Sequence, residues 1–241
     1  MRFLATIEYD GTKYAGWQIQ PNGVSIEEEI EKVLSKLLNK EMKIYGSGRT
    51  DAGVHALGQT FHFDADIKDI DKFKYSLNCL LPRDMHVLNI EKKGDDFHAR
   101  YLVKEKEYIY YINMGEYDPF NKDYMYQFQR PLDVDKITEA SKLFIGEHCF
   151  QNFTSKDEDQ DRFVRNIYSI DLSKKDDILK ITFRGNGFMR YMIRMIVGTF
   201  IEVGLGRLEI AKVKEYLEQK ERKVVSYKAP ANGLYLSKVI Y

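Results

Sequence analysis

The chain has 241 residues, and its 37 basic side chains are balanced by 37 acidic ones, so the net charge is zero. That balance excludes a protein that coats nucleic acid by bulk attraction, while a partner held by segregated charges stays possible. The length suffices for one large domain or two small ones with buried cores, and no apolar run is long enough to span a bilayer.

Met1–Asp10 lacks the basic-then-apolar layout of a secretion signal. Cys79 and Cys149 lie far apart without metal-ligand spacing and read as reduced core thiols, which points to the cytoplasm. The histidines are scattered, so no metal site is expected.

In chain order, Arg2–Tyr9 reads as a strand ending at the Asp10-Gly11 turn. Ser25 and Glu28 form a capping box, and Ile26, Ile30, Val33, Leu34, Leu37 and Leu38 behind them recur at helical spacing. Strand-like runs follow at Met42–Tyr45 and Thr60–Asp64, then a helix over 70–79 and a strand over 85–91. This order, β-α-β-β-α-β, is the ferredoxin-like split arrangement. The second half repeats it. Tyr101–Asn113 is a long strand, and Asp133 caps a helix carrying Val134, Ile137, Ala140 and Phe144. Arg165–Leu172 and Ile178–Phe183 form a hairpin turning at Lys174–Asp177. A helix over 188–203 follows, then a shorter one with Ile210, Val213 and Leu217, and a closing strand over 234–241. The expected class is α+β: two pseudo-symmetric ferredoxin-like, RRM-like halves, 1–96 and 97–241, with antiparallel sheets and a central cleft as the ligand site.

The chemistry concentrates in residues 46–59, Gly-Ser-Gly-Arg-Thr-Asp-Ala-Gly-Val-His-Ala-Leu-Gly-Gln. A plain hairpin needs two to five connecting residues, so this stretch does more than reverse the chain. Its glycines permit unusual backbone angles and close approach of a ligand. Asp51, flanked by Arg49, is either a turn-shaping aspartate or a held carboxylate able to act as nucleophile or base. A phosphate-binding P-loop is excluded, because Val54 and His55 stand where Lys and Ser/Thr would follow Gly53. A dinucleotide fingerprint is excluded too, since Asp51 occupies a glycine position and a strand follows.

The helix over 188–203 is apolar nearly all round except at Arg190 and Arg194, one turn apart. Arg194 should then face a carboxylate, or be an ordinary structural ion pair or a snorkelling side chain. Basic residues gather at Arg100, Lys104 and Lys106, and again at Arg162, Arg165, Arg184, Arg190 and Arg194. Asp157-Glu158-Asp159 with Asp161 offset them. Tyr108 sits in a strand with Ile109, Tyr110, Tyr111 and Ile112, where tyrosines mostly pack.

Gly48-Arg49-Thr50-Asp51-Ala52-Gly53-Val54-His55 resembles the catalytic motif of the tRNA pseudouridine synthase A family. Five further segments match in order: Ile7–Thr12 with Gly16-Trp17-Gln18, Asp96–Arg100, Lys106–Tyr110, Met192–Gly198, and Ala229-Pro230 with Gly233–Leu236. The resemblance implies that Asp51 is the essential carboxylate and that Arg194 pairs with it. It implies that Tyr108 stacks on the target base and that Arg49 fills the space left by a flipped uridine or holds a phosphate. Lys106 stands where the family often has arginine, which keeps the charge but loses bidentate geometry. The implied reaction converts uridine to pseudouridine at positions 38, 39 and 40 of the tRNA anticodon stem-loop, by a homodimer without membrane attachment. It is an isomerisation and needs no cofactor. The target base must leave its stack to reach an interior carboxylate.

Two rival readings of the same residues are a non-catalytic RNA-binding module and an enzyme acting on a phosphorylated metabolite. The first lacks the aromatic sheet motif of an RRM and has no use for the Asp51 loop. The second shares the carboxylate and arginine, and a tRNA modification assay separates it.

Overall fold

The computed structural model describes residues 1–155 and 163–241. Arg162 of the second basic group and the acidic residues Asp157, Glu158, Asp159 and Asp161 lie outside the described residues. The rest forms two units, one of residues 1–104 with 235–241 and one of residues 105–234. Both are mixed α and β, with mostly antiparallel strands.

In the first unit, β1 (Arg2–Tyr9) is the central strand, with Phe3, Leu4, Ala5, Ile7 and Tyr9 buried. It pairs antiparallel with β4 (Met85–Lys93) on one side and β3 (His55–Asp64) on the other. The two-residue β2 (Tyr45–Gly46) pairs antiparallel with the later part of β3. β10 (Leu234–Ile240) joins the start of β3 in parallel, Tyr235 opposite His55 and Leu236 opposite Ala56. Helices α1 (Ile26–Leu38) and α2 (Ile70–Leu80) fall between the strands in the expected order. The Ser25 hydroxyl accepts from the Glu28 amide at 3.2 Å and Asp69 accepts from Lys72 at 3.0 Å, so both helices are capped. The apolar stripe of α1 is buried at Ile26, Ile30, Val33 and Leu34, and half-buried at Leu37 and Leu38.

The strand after the glycine loop begins at His55, not Thr60. Its first five residues look like loop because they include Gly58 and polar side chains. Pairing on both sides overrides that composition: Ala56 and Gln59 pair with β1 while His55 and Ala56 pair with β10. Gly58 lets the Ser237 carbonyl approach, since a methyl there would stand 2.6 Å from that oxygen. Two other expectations change. Residues 101–104 lie outside the strand, because the chain turns there with the Leu102 amide on the His98 carbonyl. Cys79 is exposed and Cys149 half-buried, so neither is a core thiol.

The second unit has strands in the order β5 (Glu105–Asn113), β9 (Ile178–Gly185), β8 (Val164–Lys175) and β7 (Gly146–Cys149), all antiparallel. A further short strand, β6 (Tyr126–Gln127), runs parallel to the end of β5. Helix α3 (Val134–Ser141) is capped by Asp133 as expected, and a 3-10 turn continues it to Phe144. Helices α4 (Met192–Gly204) and α5 (Ile210–Glu218) complete the unit. α4 is buried at eleven of its positions, so the all-round apolar reading holds. It starts four residues later than expected, because Tyr191 adopts a left-handed backbone (φ 62°) that a right-handed helix cannot pass through. Arg190 therefore precedes the helix, and its carbonyl accepts from the Thr154 hydroxyl at 3.0 Å.

One buried ring ties stability of the first unit to pH. His62 on β3 accepts the Ala99 amide through Nδ1 at 3.2 Å and stacks on Tyr45 with centroids 4.9 Å apart. Burial, reinforced by the nearby Arg2 and His98, pushes its pKa down from 6.5 to about 4. The unfolded ring takes up its proton first as pH falls, so this contribution is complete above 6.5 and is lost on the way down through about 4. The unfolding midpoint is expected to drop across that window. His62→Asn, which retains an acceptor for Ala99, should flatten the drop, and an unchanged slope in the variant would count against the assignment.

Candidate active site

Asp51 lies in the loop 47–54 between β2 and β3, and it is half-buried. A loop this irregular has no ladder of its own, so its backbone groups need outside partners. On the β2 side, the Ser47 amide donates to the Thr60 carbonyl at 2.8 Å, and the Ser47 hydroxyl donates to Gln59 Oε1 at 2.6 Å. The amide of Gln59 then donates to the Gly48 carbonyl at 3.0 Å. Gln59 is fully buried, so this clasp is shielded from water.

The other half of the loop is held by residues 9–17. The Trp17 amide donates to the Thr50 carbonyl at 3.0 Å, and the Gly53 amide donates to the Tyr14 carbonyl at 3.3 Å. The Thr50 hydroxyl meets the Tyr9 hydroxyl at 2.8 Å. Burial raises the Tyr9 phenol well above its usual range, so it stays protonated and the bond persists across working pH. A turn closed by the Val54 amide on the Asp51 carbonyl (3.1 Å) fixes the backbone at Asp51 itself. Two glycines make the contact possible. Gly16 has φ +96°, and a methyl on it would stand 2.6 Å from the Thr50 carbonyl; a methyl on Gly11 would collide with the Val54 carbonyl.

His55 follows the loop, buried and stacked on Tyr235 at 4.7 Å. The Gly11 amide donates to its Nδ1 at 3.1 Å. The same nitrogen lies 3.2 Å from Asp10 Oδ1. Arg49 is exposed on the loop surface. Burial raises the Glu27 carboxyl, and the Ile19 amide and the charge of Arg49 act against that rise.

The remaining expected site residues belong to the second unit. Tyr108 on β5 is buried and makes an edge-to-face pair with Phe188, centroids 5.3 Å apart. Arg194, in the first turn of α4, is half-buried. Its Nε donates to the Ala229 carbonyl at 2.8 Å, and the Ala229 amide returns to the Arg194 carbonyl at 2.9 Å. A strap at 227–229 is thereby laid against α4, where Gly198 leaves room: a methyl there would stand 2.7 Å from the Lys228 nitrogen. Tyr110 is a packing residue, as read from sequence, fully buried with its hydroxyl on the Pro230 carbonyl at 2.8 Å. Lys106 is half-buried on β5 opposite Gly185, and Arg184 of the second basic group is paired with Glu107 at 2.8 Å.

Sequence reading alone missed Tyr9, Thr50, Ser47 and Gln59 as the residues that hold the loop. A usable signal was present: four polar residues, His55, Gln59, Thr60 and His62, fall at buried places of one strand, and buried polar groups need partners.

Over residues 5–102 and 140–241 the sequence matches the family model described as tRNA pseudouridine synthase. It is similar along its whole length to tRNA pseudouridine synthase A 1 of Bacillus cereus, with 42% identity over 244 residues covering 100% of this chain and 98% of that protein. tRNA pseudouridine synthase A of a Geobacillus species is 41% identical over 243 residues, with the same shares covered. The Listeria monocytogenes protein of that name is 42% identical over 246 residues, covering 100% of this chain and 99% of its own.

Gly16→Ala tests the contact that holds Asp51. The substitution meets both a positive φ and a backbone oxygen, so it should cost about 3 kcal/mol and free the loop for proteolysis near residue 50. A melting temperature and cleavage pattern equal to those of the unaltered protein would refute the clamp.

Proposed function

The chain belongs to the tRNA pseudouridine synthase family, isomerases acting on tRNA, and from that premise we propose that it converts uridine to pseudouridine at positions 38, 39 and 40 of the anticodon stem-loop, with Asp51 as the essential carboxylate. The observation that carries the reading is the loop itself. Its motif, Gly48 to His55, is clamped through backbone bonds on both sides of a half-buried aspartate, the arrangement a pre-positioned nucleophile or base requires.

The reaction breaks the N1–C1′ bond and forms C5–C1′, while the C5 hydrogen is lost as a proton and N1 gains one. Atoms and oxidation state are conserved, so the isomerisation calls for no redox or group-carrying cofactor. Attack at C6, attack at C1′ and removal of the C2′ proton all require an ionised carboxylate beside the sugar–base bond. Asp51 supplies it. Tyr108 stacks on the extruded base, Arg49 occupies the vacated stack or holds its phosphate, and Arg194 is the charge partner that keeps Asp51 ionised.

The working unit in this reading is a cytoplasmic homodimer, because a stem-loop spans more surface than one cleft offers. No described helix is long and apolar enough to cross a membrane. The two halves, 1–96 and 97–241, are read as pseudo-symmetric copies of one plan; the second follows the first's β-α-β-β-α-β order once the added strands β6 and β7 and helix α5 are set aside.

Asp51→Asn removes the charge at constant volume. Folding and tRNA binding should survive, and pseudouridine mapped chemically in an unmodified tRNA transcript should fall to background. Product beyond what deamidation back to Asp supplies would end the mechanism. Arg194→Leu should lower turnover and cost about 2 kcal/mol, the scale of a charged hydrogen bond. If it pairs with Asp51, the stability losses of the double variant should be less than additive. Strict additivity would remove the pairing and leave Asp51 untouched.

The dimer is tested by light scattering. A mass of two chains is expected at micromolar concentration; a single-chain mass with full activity would exclude it.

A further inference from the structure

Residues 126–130, the later turns of α4 and the strap 227–230 line an open pocket of about 160 Å³ in the second unit. Its walls carry three half-buried aromatic rings, Tyr126, Phe128 and Tyr227. The Tyr126 and Phe128 rings, 5.6 Å apart at 58°, form a tilted aromatic pair along one wall.

The charges around it are unbalanced. Arg130, Arg207 and Lys228 line the pocket against one carboxylate, Glu202. Glu202 lies 4.0 Å from Arg207, the limit for an ion pair. Lys228 rests over the Tyr191 ring at 4.5 Å, and Arg130 has no hydrogen bond or ion pair among the described residues. Cations gathered beside aromatic walls fit a ligand with a flat base and an anionic phosphate.

The backbone presents these groups deliberately. Gln129, between Phe128 and Arg130, has φ +60°, an uncommon angle for a side chain that is not glycine. The amides of both Phe128 and Gln129 donate to the Asn113 carbonyl, at 2.9 and 3.0 Å, which holds the angle in place. Strain of this kind persists where surrounding structure over-determines it and clusters at binding sites.

We propose that this pocket holds one nucleotide of the tRNA outside the reacting uridine, its base against Tyr126, Phe128 or Tyr227 and its phosphate on Arg130 and Lys228. The inference rests on the reading that tRNA is the substrate, and it adds a second point of attachment in residues 126–228. Here a base would be gripped by stacking, which tolerates any base, so the pocket contributes affinity and register rather than sequence choice.

Binding of an unmodified tRNA transcript, measured between 50 and 200 mM salt on the full chain, tests it. Arg130 is exposed, so Arg130→Ala should fold normally. It is expected to raise Kd about three- to ten-fold and to make the salt dependence shallower by about one counterion. Arg130→Lys should restore the slope. Phe128→Ala should weaken binding with the slope unchanged, and Phe128→Leu is the second variant if the alanine form unfolds.

An unchanged Kd and slope in Arg130→Ala, with the unaltered protein still binding tRNA and forming pseudouridine, would overturn the pocket and spare the enzymatic reading. Absence of tRNA binding by the unaltered protein would overturn both. Uridine monophosphate bound in an Arg130-dependent way, while tRNA affinity ignores Arg130, would assign the pocket to a free nucleotide and overturn the RNA occupant.

Discussion

The structure of the first unit turns on one demand: an eight-residue loop without regular hydrogen bonding has to be as still as a strand. The chain meets it by bringing the segment 9–17 and the start of β3 against the loop, so that its amides and carbonyls bond to backbone on one side and to Gln59 on the other. Glycine is required wherever two backbones touch, and Gly11 and Gly16 sit at those places. The burial of Tyr9, Trp17 and Thr50 follows from the same need, because bonds open to water would hold the loop only weakly.

The second unit solves a different problem. A helix buried on almost every side cannot carry a guanidinium without giving it fixed acceptors, and the strap at 227–229 provides one through Ala229. The strap can lie so close only because Gly198 lacks a side chain, so a backbone feature of the helix determines where Arg194 is anchored. Tyr191, held left-handed before the first turn, serves the same end by ending the preceding segment abruptly and setting its ring among Arg190, Arg194 and Lys228.

Much of this was legible in the residues. Period and caps located α1 and α3 closely, because Ser25 and Asp133 are local signals that act through bonds three residues away, while the Asp69 cap of α2 went unread. The family resemblance rested on the motif around Asp51 and is shared by the whole chain. What stayed hidden is non-local. The start of β3 at His55 depends on a strand from the far end of the chain, and the late start of α4 depends on a backbone angle that tyrosine rarely adopts. The clasp of Ser47, Gly48 and Gln59 was only half legible: the polar run His55, Gln59, Thr60 and His62 signals that partners are needed, and nothing nearby announces which of these side chains turns back to the loop. In the second unit, Arg130 and Phe128 carried no motif at all, and only the fold sets them beside α4.

The first unit is interrupted in sequence by the whole of the second, since residues 235–241 return to it after 105–234. Tyr241 packs against Leu4, Phe97 and Ala99, and its hydroxyl bonds to Thr60 and to the Ala99 carbonyl at 2.7 and 2.8 Å. During synthesis, then, the edge of β3 that leads into the loop stays unpaired while residues 65–234, the rest of the first unit and all of the second, are made. A strand edge open for that long is where a nascent chain pairs wrongly. The strand that leads out of the carboxylate loop thus gains its last neighbour only after the second unit has been synthesised.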